Sequence, residues 1–187
     1  MPWDKGFNIR NSSIYVTDGP NETYSIGAIY PETRNGVTFG FDSDQTANTF
    51  NRNAGIDRRL AGTLPTSATV RFRVDLPAPG NYFMSLALGD FSNAEPTITA
   101  KIEDGSTTLL TITGATLATE FLDANGAVYN NVNWPLQNKP RLITMSSSVF
   151  RIAFGFGASS GLAHLFLSQA IASVPFNTVS NAQSFRR

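Results

Sequence analysis

The chain has 187 residues, of which 41% are hydrophobic and 15% charged, and its 14 basic residues balance its 14 acidic ones. This length is typical of one domain. Charge neutrality argues against nucleic acid and against an electrostatically bound membrane as partners. The absence of cysteine and the single histidine exclude disulfides, thiol catalysis and metal sites built from thiolates or several imidazoles. No apolar run is long enough for a secretory leader or a bilayer span, so we expect neither.

Residues 1–60 are rich in Asn, Thr, Gly and aromatic residues and show little alternation of apolar and polar positions. They predict irregular N-terminal loops and short strands that lie over one edge or face of the domain. Residues 14–17 and 37–41 are the strand candidates in this part of the chain.

Alternation is clearest over residues 69–76, where valine and phenylalanine alternate with charged residues. This pattern predicts a strand with one buried and one solvated face. Residues 77–81 predict a turn, because their two prolines cannot continue a ladder and their glycine accepts unusual backbone angles. A second alternating strand follows over residues 82–88. We therefore predict that the two strands form a hairpin.

Further alternating segments are separated by turns rich in Gly, Asn and Asp, and the strands that they predict are residues 98–102, 109–113, 141–145, 150–156 and 162–169. Residues 115–122 could form one or two helical turns, but the stretch is short and partly β-branched. Many short strands with such turns predict an all-β, antiparallel sandwich or barrel. The alternation is lost after residue 170. We predict a β-sandwich domain over residues 1–170 and an extended C-terminal arm over residues 171–187.

The run from Thr69 to Asp90 resembles the central hairpin of galactose-binding-like jelly rolls, a superfamily that includes carbohydrate-binding modules. Residues 15–18, 36–42 and 57–60 fit the same pattern, although the turn of the hairpin is one residue longer here. The resemblance implies a jelly-roll β-sandwich, a fold that often carries a structural calcium ion. The chain as a whole also resembles small virion-surface or tail proteins of tailed bacteriophages.

Two functions are therefore open. The first hypothesis is a non-enzymatic structural protein of a bacteriophage virion, such as a capsid decoration or cement protein or a tail protein. Its partners would be copies of itself and other virion proteins. The alternative is a carbohydrate-binding module that recognises surface glycans. The expected location is the virion, with the bacterial cytoplasm or the cell surface as alternatives.

A glycan site needs an exposed aromatic ring beside groups that form directed hydrogen bonds. Trp134 lies in a polar loop together with Tyr129 and Asn131. This loop predicts a site in which the indole is presented to solvent. The alternative is that Trp134 packs against the core or under a loop, as tryptophans in sandwiches commonly do.

Arginine outnumbers lysine by 11 to 3, and arginine is preferred where planar, bidentate pairing at protein interfaces matters. Ion pairs within the domain explain the bias equally well. The residues that we predict to form contacts between protein chains are Trp3, Arg58, Arg59, Phe176, Phe185, Arg186 and Arg187. Deletion of residues 171–187 is expected to leave the sandwich folded and to weaken assembly.

Catalytic signals are weak. His164 lies in a predicted core strand, and the sequence has no Gly-x-Ser-x-Gly nucleophile motif. No acidic pair falls in a recognisable signature, so we predict that the protein is not an enzyme. Asp42 and Asp44 are calcium candidates because Ca²⁺ prefers oxygen ligands, but such residues also cap turns. We expect no cofactor, with a structural Ca²⁺ as the one candidate.

Overall fold

The computed structural model of the chain describes residues 3–11, 21–52 and 57–170. These residues form fifteen strands and one four-residue helix, α1 (Trp134–Gln137). In chain order the strands are β1 (Asp4–Ile9), β2 (Glu22–Ser25), β3 (Glu32–Arg34), β4 (Val37–Phe41), β5 (Phe50–Asn51), β6 (Gly62–Thr66), β7 (Val70–Asp75), β8 (Gly80–Leu88), β9 (Glu95–Asp104), β10 (Thr107–Thr116), β11 (Glu120–Leu122), β12 (Val128–Asn130), β13 (Arg141–Met145), β14 (Val149–Phe154) and β15 (Ser160–Gln169). No helix among the described residues is long and apolar enough to cross a membrane.

The strands form two sheets. The larger sheet has nine strands, and its main path is β12-β11-β8-β15-β1-β2, with β13 beside β8, β6 beside β15 and β5 beside β6. The smaller sheet has six strands in the order β10-β9-β14-β7-β4-β3. Paired strands are antiparallel except β1 and β2, which are parallel. The predicted all-β antiparallel sandwich is confirmed.

The core fills the space between the sheets. Phe72 of β7 is fully buried, and its ring lies 4.9 Å from that of Phe41 and 5.5 Å from that of Phe7, measured between centroids. Phe7 belongs to the larger sheet and Phe41 to the smaller one. The aromatic contacts therefore join the two layers, and offset or edge-to-face pairs of this kind add stability beyond that of area burial.

The predicted hairpin is wrong, although both of its strands exist. β7 pairs with β14 and β4 in the smaller sheet, whereas β8 pairs with β15, β13 and β11 in the larger sheet. The connecting residues 76–79 therefore cross from one sheet to the other. Pro77 and Pro79 lack backbone N–H groups, so this segment cannot extend a ladder. Alternation predicts a buried face correctly but does not say which strand lies alongside.

The later strand predictions, residues 98–102, 109–113, 141–145, 150–156 and 162–169, are confirmed with small shifts of their ends. Residues 115–122 contain the end of β10 and all of β11 rather than a helix. The candidate strand 37–41 is β4, but residues 14–17 lie outside the described residues, as does the predicted arm 171–187 with Phe176, Phe185, Arg186 and Arg187.

The N-terminal part is more regular than expected. β1 lies inside the larger sheet between β15 and β2. Phe7 and Ile9 point into the core, while Gly6 and Asn8 occupy the opposite face. The polar and small residues on that face are buried as well. Because burial of such residues gives no apolar signal, the sequence did not predict this strand.

A second, smaller apolar cluster covers part of the outer face of the larger sheet. Its buried members are Leu60, Ala61, Ala87, Phe121, Trp134 and Ala163, and Phe91 and Tyr129 pack against it. The helix α1 brings Trp134 onto this face, so the larger sheet is covered on both sides at this point.

Candidate functional site

The residue predicted to be a glycan platform, Trp134, is fully buried, so that prediction is wrong. Its indole Nε1 donates a hydrogen bond to the carbonyl of Leu86, with an N–O distance of 3.0 Å. Along β8, β13 pairs with residues 80–84 and β11 pairs with Leu88, so the Leu86 carbonyl lies between these two edge partners. The indole satisfies that carbonyl and fills the gap, and no ring face is left for a sugar.

The residues predicted beside Trp134 do lie close to it. Tyr129 is half-buried against the same apolar cluster. Asn131, also half-buried, donates its backbone N–H to the carbonyl of Thr119 at 2.8 Å. The guanidinium of Arg59 lies over the indole, 5.1 Å from the ring centroid. These residues hold the loop on the sheet rather than form an open cleft.

The predicted contact residues differ in their availability. Arg58 is exposed, and its backbone carbonyl accepts a hydrogen bond from Arg10. Arg59 is held by Asp57, with 2.6 Å between Nη2 and Oδ2. Burial acts to raise the pKa of Asp57, but the hydrogen bonds from Arg59 outweigh it and lower that pKa. Trp3 is half-buried and packs edge-to-face on Tyr82, with the centroids 6.0 Å apart. Of Trp3, Arg58 and Arg59, Arg58 alone is exposed.

The outer face of the smaller sheet carries a dense set of charged and aromatic side chains. They alternate with core residues along β7, β9 and β14, and two rings flank them. We call this surface the arginine face and define it by Tyr30, Arg71, Arg73, Asp75, Lys101, Glu103, Arg151 and Phe156.

Arg73 is fixed in place from two sides. Its Nε donates to Asp75 Oδ1 at 2.9 Å, and its guanidinium carbon lies 4.1 Å from the ring centroid of Tyr30. The Tyr30 hydroxyl donates to Asp75 Oδ2, also at 2.9 Å, and this hydrogen bond raises the pKa of Tyr30. Among the described residues, no protein group accepts from either Nη atom of Arg73. A rigid guanidinium therefore presents free donors at the surface.

A glycine makes room for this arrangement. Gly40 of β4 is directly opposite Arg73 and has a φ of +146°. A Cβ atom at this position would lie 2.7 Å from Tyr30 Cα. Tyr30 therefore occupies the space that a side chain at position 40 would fill, and its ring comes to lie beside Arg73.

A second ion pair spans the width of β14. Arg71 Nε lies 3.3 Å from Glu103 Oε2, although the two residues belong to strands on opposite sides of β14. Ala153 of β14 lies between those strands and is fully buried. Its short side chain leaves room for the pair, and a larger residue would separate the two groups.

The face also carries two cations, Arg151 and Lys101, that form no ion pair with a described residue. Arg151 is directly opposite Arg73, and it donates to the carbonyl of Gly105. Lys101 Nζ lies 4.7 Å from the ring centroid of Phe156. Like charges on directly opposed strand positions repel, but Glu103 of β9 lies directly opposite Arg151 on its other side, so Arg151 has one cationic and one acidic neighbour in the sheet.

The calcium candidates act as turn residues in this structure. Asp42 Oδ1 accepts the backbone N–H of Arg71 at 3.1 Å, and Asp44 Oδ1 accepts that of Thr46 at 2.9 Å. The hydrogen bond from Thr46 lowers the pKa of Asp44. Residues 3–11, 21–52 and 57–170 contain no group of three or more His, Asp or Glu side chains placed to hold a metal ion.

Two acidic residues are buried at one end of the sandwich. Asp90 is fully buried and bound by Arg52 through two hydrogen bonds of 2.9 and 2.8 Å. Glu95 is 1% exposed, and its Oε2 accepts the backbone N–H of Gly161 at 2.8 Å. Burial raises the pKa of Glu95 to about 7. Both carboxyl groups are closed off from solvent, so this pair does not face a substrate cleft.

His164 is 1% exposed in β15, and its Nε2 lies 3.3 Å from Glu22 Oε2. This matches the interpretation of a strand histidine with a hydrogen-bond partner. The sequence did not predict the arginine face, because an exposed tryptophan is the usual signal of a glycan site and this face has none. A signal was present, since Arg71 and Arg73 occupy the outward positions of the clearest alternating strand.

No protein-family model matches the chain, and no curated protein matches it. Among solved structures, TmCBM61 in complex with β-1,4-galactotriose is similar at 13% identity and a TM-score of 0.35, over 77% of this chain and 92% of that one. The exo-β-1,3-galactanase of Phanerochaete chrysosporium is similar at 13% identity and a TM-score of 0.34, over 57% of this chain. A cycloisomaltooligosaccharide glucanotransferase of Paenibacillus sp. is similar at 12% identity and a TM-score of 0.36, over 77% of this chain. The chain spans 23% of the length of the galactanase and 19% of that of the glucanotransferase.

Proposed function

We propose that the protein is a non-catalytic carbohydrate-binding β-sandwich whose arginine face binds the glycan. The observation that carries this proposal is the guanidinium of Arg73, which is held by Asp75 and by the ring of Tyr30 and whose Nη atoms have no acceptor among the described residues. Preorganised donors of this kind bind a ligand without first paying the entropy of ordering a long side chain.

The chemistry of the face favours an anionic sugar. Guanidinium groups form paired hydrogen bonds with carboxylates and with other planar anionic groups. Arg73 and Arg151 are directly opposed, and the neighbouring strand β9 contributes Glu103, directly opposite Arg151, and Lys101, directly opposite Ala153. A uronate or sulfate placed between Arg73 and Arg151 would relieve the repulsion of these two cations, and the flanking rings offer apolar contact for sugar C–H groups.

The state of the acidic residues supports binding without catalysis. Asp75 and Glu103 on the face are engaged by Arg73 and Arg71, and the buried pair Asp90 and Glu95 lies away from solvent. The virion role and the assembly with other virion proteins stay predictions, as does the location of the protein.

The test is calorimetric titration with ligands chosen from a glycan array that includes neutral, uronate-containing and sulfated polysaccharides. Arg73→Ala should weaken binding by about 10- to 100-fold, the effect of losing a hydrogen bond to a charged group. Arg34→Ala is the matched control. Arg34 also pairs with an acid, Glu32, and stacks on a tyrosine, Tyr24, with 3.9 Å from guanidinium carbon to ring centroid.

Thermal unfolding of both variants shows that they are folded before titration. Equal losses in the two variants, or no binding of the intact protein to any glycan on the array, would remove the proposal. A glycan that binds equally well to Arg73→Ala and to the unsubstituted protein would place the site elsewhere and would also contradict it.

A further inference from the structure

A groove runs along the open side of the sandwich, between β10 of the smaller sheet and β13 of the larger one. It has a volume of about 310 Å³ and is lined by Leu109, Leu110, Arg141, Leu142, Ile143 and Thr144. Leu142 is 53% exposed and Leu109 is 39% exposed. Large apolar side chains are thus open to solvent on both walls.

Both walls are the edges of their sheets. Within the described residues, β10 pairs with β9 alone and β13 pairs with β8 alone. The register of β10 shifts between Thr108 and Leu110, so Leu109 is an extra, bulged residue. Bulges re-aim side chains. The groove therefore offers unpaired backbone groups beside apolar side chains, the combination that accepts an added extended segment.

The described chain ends two strand positions away from β13, which forms one wall of this groove. The N–H of Ala170 donates to the carbonyl of Asn81 at 2.8 Å. Asn81 is directly opposite Thr144, whose hydroxyl donates to Asn81 Oδ1 at 2.8 Å. Thr144 lines the groove. Two strand spacings amount to about 10 Å, which about three extended residues can span.

The sequence after Ala170 has a pattern suited to an edge. It begins Ile171-Ala172-Ser173-Val174-Pro175-Phe176. In an extended chain Val174 and Phe176 share one face, and their backbone groups point to the same side. Pro175, which has no N–H, falls on the other side, where an edge strand needs no donor.

We propose that the segment after Ala170 lies in the groove of its own chain, with Val174 and Phe176 covering Leu109 and Leu142. This proposal differs from the prediction made from the sequence, which was that the C-terminal arm contacts other copies of the protein. The inference is independent of glycan binding, because the groove and the arginine face use different residues.

Paired cysteines test the contact, and the cysteine-free chain makes the experiment clean. The double variant Leu142→Cys with Phe176→Cys should form an intramolecular disulfide under mild oxidation. The control is Leu136→Cys with Phe176→Cys. Leu136 is 81% exposed on α1 and does not line the groove. We expect the first pair to close about tenfold faster or more, because docking raises the effective concentration of one thiol near the other.

Equal rates for the two pairs would overturn the proposal. Disulfide-linked dimers would also overturn it, because they would show that the groove binds the segment of a second copy, and mixing isotope-labelled with unlabelled protein detects them by mass. An independent measurement uses hydrogen exchange of the full chain. Phe176→Ser should lower the protection of amides in residues 141–145, whereas Phe185→Ser should leave it unchanged. Unchanged protection in both variants would contradict docking even if a disulfide forms.

Discussion

Glu95 makes the stability of the sandwich depend on pH. The side chain is 1% exposed, and one oxygen accepts the N–H of Gly161 at 2.8 Å. The side chain of the exposed Ser159 also acts on this carboxyl group and lowers its pKa, but less than burial raises it. Burial is the largest cause of a pKa raised from 4.5 to about 7, and the charge of Asp90 adds to it. The perturbation is Glu95→Gln, which keeps the shape of the protonated acid and cannot ionise.

The direction of this pH dependence follows from proton binding. Between pH 4.5 and about 7 the folded protein holds a proton on Glu95, while the unfolded chain has released it. The contribution of Glu95 to stability therefore falls as pH rises through this window and is constant on either side. The interval between the two pKa values corresponds to about 3 kcal/mol, at ~1.4 kcal/mol per pH unit. Glu95→Gln should match the unsubstituted protein near pH 4.5 and exceed it by about 3 kcal/mol at pH 8.

Urea unfolding of both proteins at several pH values from 4 to 8 measures this difference. The control Glu120→Gln changes a half-buried acid at a turn, where Glu120 accepts the N–H of Leu117. It should follow the pH profile of the unsubstituted protein. A difference between Glu95→Gln and the unsubstituted protein that stays constant across this range would refute the reasoning.

Two further variants test other buried polar groups. Trp134→Phe removes the donor to the Leu86 carbonyl and should lower the free energy of unfolding by about 2 kcal/mol, while glycan affinity in the same titration as above should not change. A loss of binding without a loss of stability would restore Trp134 as a sugar platform. Asp104 accepts hydrogen bonds from the backbone N–H and hydroxyl groups of Ser146 and Ser147. Burial acts to raise the pKa of Asp104, but these hydrogen bonds lower it to about 2. Asp104→Asn should therefore be less stable than the unsubstituted protein at pH 7, and thermal unfolding should show this deficit shrinking as pH falls from 3.8 towards 2.

The strands that carry one apolar face could be predicted from sequence, because burial on one side imposes a period of two. β7, β13 and β15 are found where alternation places them. Pairing could not be predicted in the same way. The turn after β7 is compatible with a hairpin or with a crossing between sheets, and the choice depends on β14, some seventy-five residues later in the chain.

The candidate site was harder to predict than the fold. The burial of Trp134 depends on a carbonyl left between two edge strands, a feature that arises only when β11 and β13 are in place. The position of Tyr30 depends in turn on the missing side chain of Gly40. Both effects are long-range, so local spacing of residues cannot reveal them.

The two outer faces of the sandwich carry different side chains, and this difference is our reason for placing the proposed binding surface on the smaller sheet. Part of the larger sheet is covered on its outside by the apolar cluster around Trp134 and Phe121, with Arg59 stacked above the indole. The smaller sheet instead presents Arg73 and Arg151 side by side at the surface. Some arginines pair within the domain, such as Arg59 with Asp57, whereas the Nη donors of Arg73 have no acceptor in residues 3–11, 21–52 and 57–170. Those unused donors at the centre of a rigid sheet are what a glycan with acidic groups would bind.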